Sequence, residues 1–92
     1  KETEERQEAM ERRTYAVGYE LERLTDTLAE AVESGAYTEE RLNEIRELAR
    51  NAQFYWDFVF VENSEGAHNS ALDNDCLDKA EAYFNRAMAL LH

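Results

Sequence analysis

Met10, Thr14, Val17, Leu21, Leu24, Leu28 and Ala31 follow one another in steps of four and three, which places them along a single line on the side of a helix. A line that narrow needs another helix lying lengthwise against it. Nothing in the composition opposes this: the 92 residues include no proline and three glycines, with 43% hydrophobic and 34% charged side chains. That balance belongs to a folded helical chain and not to a disordered one.

The breakers divide the chain into three. The first helix is expected over about residues 2–34. Its opening is polar on every side and is supported by Glu2 with Arg6 and Glu8 with Arg12 at i,i+4 spacing. Ser34-Gly35 stops it, because glycine enters the left-handed conformation of a helix C-terminus without steric cost. Thr38 then reads as an N-cap with Glu39 and Glu40 at the positive end of the dipole, and Tyr37 is placed to staple onto Leu42. The second helix, about 38–63, carries Leu42, Ile45, Ala49, Ala52, Trp56 and Val59, with Leu48, Tyr55 and Phe58 on one flank. After Asn63 to Gly66, Ser70 and Asp73 resemble a capping box for a third helix, about 71–91, with a seam of Leu72, Cys76, Ala80, Tyr83, Ala87 and Leu90. No strand pattern is present. The expected fold is all-α: one helical domain over 1–92, a three-helix antiparallel bundle with long helices, dimerising through its surplus apolar surface.

Charge narrows the partners. The net charge is -11, and the excess is spread out: residues 1–50 hold 8 basic and 14 acidic side chains, residues 51–92 hold 2 and 7. Neither a nucleic-acid backbone nor an anionic membrane surface finds a basic footprint on such a chain. Asp57 and Glu62 cut the longest apolar run well below the roughly 20 residues that span a bilayer, so membrane insertion is not expected. The lone Cys76 closes no intramolecular disulfide and forms no CxxC or CxxCH motif. The acids Asp73, Asp75 and Asp78 with Glu62 and Glu65 lack the glycine and terminal glutamate of a calcium loop and read as a solvated face. Cys76 and His68, eight residues apart, give no nucleophile pair.

The densest feature is Phe54-Tyr55-Trp56-Asp57-Phe58-Val59-Phe60, five of the ten aromatic residues in seven positions. Core packing explains part of it. Neighbours on a helix point about 100° apart, so five large rings cannot all face one partner. Some must meet a second subunit, another domain or a flat cofactor. Shortly afterwards comes His68, in the link before the third helix, where a histidine is ordinarily solvated but can also serve as a ligand.

The string AQFYWDFVFVENSEGAHNS, followed by CLDKAEAYFNRA, resembles the C-terminal region of the pentahaem ammonia-forming cytochrome c nitrite reductases, the cytochrome c552 family. In that family an AQ-aromatic-x-W-D-F segment leads through a G-x-H link into a final helix. The resemblance is strongest over residues 51–80. It implies that His68 is an axial ligand to the iron of a bis-histidine haem, and that the long helices build a homodimer interface against the remainder of a multihaem cytochrome. It implies a role in electron transfer and nitrite reduction, and a periplasmic or extracytoplasmic location. Trp56, Asp57 and Phe58 match family positions and are read as packing. Ser70 stands where proline is commoner, and both suit a helix start.

The family's CxxCH and CxxCK haem sites and its catalytic residues have no counterpart here. Haem c would be attached elsewhere in the full enzyme, none of it covalently to this chain. The expectation is a fragment, or one chain of a split enzyme, that reduces no nitrite alone, since a six-electron reduction needs redox centres. The residues leave open a free-standing or engineered bundle that serves as a dimerisation module without cofactor.

Overall fold

A computed structural model describes the backbone of residues 2–66 and 69–91, and side chains within 8–66 and 69–91. Among the described residues the only regular structure is helix, in three elements: α1 (Glu2–Ser34), α2 (Glu39–Ser64) and α3 (Ser70–Leu90). The molecule measures 51 × 19 × 16 Å. Its long axis is that of α1, whose 33 residues rise about 50 Å at about 1.5 Å each.

The α1 seam lies where the spacing puts it. Thr14, Val17, Leu21, Leu24 and Ala31 are buried, and Met10 and Leu28 pack partly against the same core. Leu42, Ile45, Leu48, Ala52 and Val59 meet them from α2. Ile45 and Leu24, at 0% and 1% exposure, each stabilise the fold by about 1.5–3 kcal/mol through removal from water. Truncating either to alanine would cost about 2–5 kcal/mol.

On α3 the buried line differs from the expected one. It runs Asp73, Leu77, Ala80, Phe84, Ala87 and on to Leu91, with Cys76 beside it, whereas Leu72 is exposed and Tyr83 and Leu90 are only partly covered. An aspartate on a seam position hides the true line from an apolar count. The helix start also differs. Asn69, not Ser70, is the N-cap, and its side chain accepts the N–H of Leu72 at 3.1 Å. Asp73 is therefore free of capping duty.

The first link follows helix-stop chemistry. Gly35 has φ 68°, and Thr38 Oγ1 caps α2 by accepting from Arg41 N–H at 3.1 Å. The Tyr37 hydroxyl donates to the Leu91 carbonyl at 2.7 Å, so the α1–α2 link is fastened to the end of α3. At the other end of α2, Trp56 Nε1 donates to the Thr14 carbonyl at 2.6 Å. Between α1 and α3, Arg13 donates to Asn74 Oδ1 at 2.6 Å, to Asp78, and to Glu81 Oε1 at 2.7 Å. These long-range polar contacts fix the helices against sliding along one another.

Candidate functional site

The link between α2 and α3 carries the residue singled out by sequence. Its shoulders are well defined. Glu65 closes α2 with its N–H on the Val61 carbonyl at 3.1 Å, and Gly66 follows at φ 79°, a conformation that glycine alone adopts without strain. Asn69 then opens α3. His68 lies outside the described residues, so its ligand role stands on the sequence resemblance.

Beside this link sits a group of acceptors without donors. Among the described residues Asp73, 1% exposed, is one of two buried polar side chains, alongside Thr14. Its Oδ1, together with Glu62 Oε1 and Asn63 Oδ1, is buried and has no hydrogen-bond partner among the described residues. Burial first, and then the adjoining Glu62 carboxyl, push Asp73 up to about 7 from the ordinary carboxylate range. The sequence showed both acids but not their meeting, because Glu62 ends one helix and Asp73 begins the next.

The other acids of the stretch have partners. Asp75 pairs with Lys79 at 3.1 Å, and Asp78 and Glu81 hold Arg13. No group of three or more histidine, cysteine, aspartate or glutamate side chains able to hold a metal ion occurs among the described residues. An open groove of about 410 Å³ between α1 and the start of α3 is lined by Ala9, Met10, Arg13, Ser70 and Asn74. Its cation, Arg13, is already engaged by two carboxylates, which removes it as a receptor for an anionic ligand.

The aromatic run divides by face. Tyr55 and Trp56 are half-buried: Tyr55 stacks on Tyr83 at 6.0 Å, and Trp56 on Phe60 at 5.1 Å. Phe54 (65% exposed), Phe58 (40%) and Val61 (52%) are spaced i, i+4, i+7 and share one outward face of α2. The three-helix core thus leaves several large apolar groups in contact with solvent, as the crowding of rings around α2 requires. No described helix is long and apolar enough to cross a membrane.

Covalent haem attachment does not fit these residues. The single Cys76 is buried within α3, with no second cysteine for a thioether pair, and burial, aided by Asp75, pushes its thiol up, away from the reactive thiolate. His68 is the residue offered by the sequence for coordinating a haem attached elsewhere.

Comparison with known proteins agrees with the resemblance. The cytochrome c nitrite reductase subunit NrfA of Nitratidesulfovibrio vulgaris (strain Hildenborough) is 42% identical over 45 residues, which are 49% of this chain and 9% of that protein. No solved structure shows a significant match. The family model for cytochrome c552 matches residues 1–92. Matched along its whole length, the chain belongs to the cytochrome c552 family.

Proposed function

We propose that this chain is the C-terminal helical part of a multihaem, ammonia-forming nitrite reductase, in which it supplies one axial haem ligand and an assembly surface. The observation that carries the reading is the family match over residues 1–92, joined to 42% identity with a nitrite reductase subunit. His68 is the ligand in this reading, with a neutral imidazole nitrogen directed at iron. Haem supplies reversible one-electron transfer when bound. The chain's own part is structural, and it reduces no nitrite by itself.

In this reading the three helices form one antiparallel domain. Support comes from three pairings: Trp56 with Thr14, Tyr55 with Tyr83, and Tyr37 with Leu91. The exposed Phe54, Phe58 and Val61 form the surface for a second copy of the protein or for the haem-bearing body. Apolar surface of this kind on a chain of net charge -11 favours a partner over bulk water. The location is extracytoplasmic, as is typical of the family.

The test is the native protein purified from its source and assayed for covalently bound haem. The reading expects several haems per copy of this segment, in the same polypeptide or in a tightly bound subunit. A haem-free native protein would overturn it.

A further inference from the structure

We propose that Glu62 and Asp73 form a buried acid pair that shares one proton and latches the last turns of α2 to the first turn of α3. The inference stands apart from the haem reading and uses only groups whose positions are described.

Three observations converge. Asp73 is almost wholly removed from solvent, its Oδ1 and Glu62 Oε1 are both buried without a hydrogen-bond partner among the described residues, and the Glu62 carboxyl at the end of α2 acts on Asp73 at the start of α3. No lysine or arginine forms an ion pair with either acid among the described residues. Lys79 is committed to Asp75, and Arg13 of α1 to Asp78 and Glu81.

Two ionised carboxylates in this setting would repel each other in a poorly solvated space, and neither has a hydrogen to offer. One proton changes the contact from repulsion into an O–H···O⁻ bond, of the short and strong kind. The positive end of α3 favours a remaining negative charge on the pair. It does not compensate two. The rise of Asp73 to about 7 agrees with a proton retained near neutrality.

The latch has a pH sign opposite to that of an ion pair. The folded chain holds a proton that the unfolded chain releases in the ordinary carboxylate range, so stability from this pair is present at mildly acidic pH and is lost as pH rises through about 7. On the next turn of α3 lie the buried Cys76 thiol and the Asp75–Lys79 ion pair. The thiol is held above its usual range and stays neutral through this window.

The experiment is thermal unfolding of the full chain between about pH 6 and about pH 8, for the parent and for Asp73→Asn, whose amide keeps a donor at the junction without a titrating proton. The parent melting temperature is expected to fall by about 5 °C or more across that range, and the Asp73→Asn protein to lose most of this dependence. Carboxyl ¹³C shifts of the unmodified chain give a second readout that requires no variant: Asp73 should titrate near neutrality. Titration of both carboxyls in the ordinary range, or an unchanged pH dependence in Asp73→Asn, overturns the proposal. So does stabilisation by added Ca²⁺ that Asp73→Asn abolishes, because the counter-charge would then be a metal ion. If Asp73→Asn fails to fold, Glu62→Gln replaces it, with the same expectation.

Discussion

The indole of Trp56 occupies the space that a side chain at residue 18 would need. A Cβ on Gly18 would stand 3.0 Å from Cζ2 and 3.3 Å from Nε1 of that ring, and the ring is itself held by its bond to the Thr14 carbonyl. A glycine in mid-helix costs about 1 kcal/mol relative to alanine, and here the cost permits close approach of α1 and α2. Gly18→Ala should therefore destabilise the chain by about 1 kcal/mol, because overpacking against a rigid ring exceeds the gain in helix propensity. In a Trp56→Leu background the same substitution should become stabilising. Chemical denaturation of the four proteins in a double-mutant cycle measures this reversal.

Arg13 ties α1 to α3 through Asp78 and Glu81, with its side chain 29% exposed. Arg13→Met should lower stability by about 1 kcal/mol, a figure reduced from that of a buried charged hydrogen bond because the carboxylates remain partly hydrated. The loss should shrink in high salt, which screens the parent's ion pairs. Urea unfolding at low and high ionic strength checks the salt dependence.

Much of this architecture is legible in the sequence, and the rest is hidden for identifiable reasons. The α1 seam, the Thr38 cap and the left-handed glycine at 35 are local consequences of periodicity and backbone chemistry. The α3 register is not, because a buried acid such as Asp73 is admitted only by a neighbour from another helix. Asn69 and Ser70 are both competent caps, and the turn geometry selects the first. The Tyr37 bond to Leu91 spans 54 residues and has no local signal. At the candidate site, the outward face of the aromatic run follows from angular crowding on a helix. The ligand role of His68 is suggested by resemblance alone, since one link histidine has no chemistry of its own that distinguishes ligand from surface residue.

The exposed face of α2 makes a prediction independent of any cofactor. Phe54→Ser with Phe58→Ser should leave monomer stability within about 0.5 kcal/mol per site, as for other exposed positions. Self-association should be lost. Sedimentation near physiological ionic strength, where the charge of -11 is screened, separates an associating parent from a monomeric variant.

Binding of haem iron by His68, as proposed above, is tested in the intact haem-loaded protein. His68→Ala should remove one axial ligand and leave the number of covalently attached haems unchanged, because attachment does not involve this chain's residues. Spectra recorded during a reductive titration of parent and variant are the measurement. One haem should change coordination and shift in potential while the others retain theirs. Identical spectra and potentials in the two proteins would contradict it.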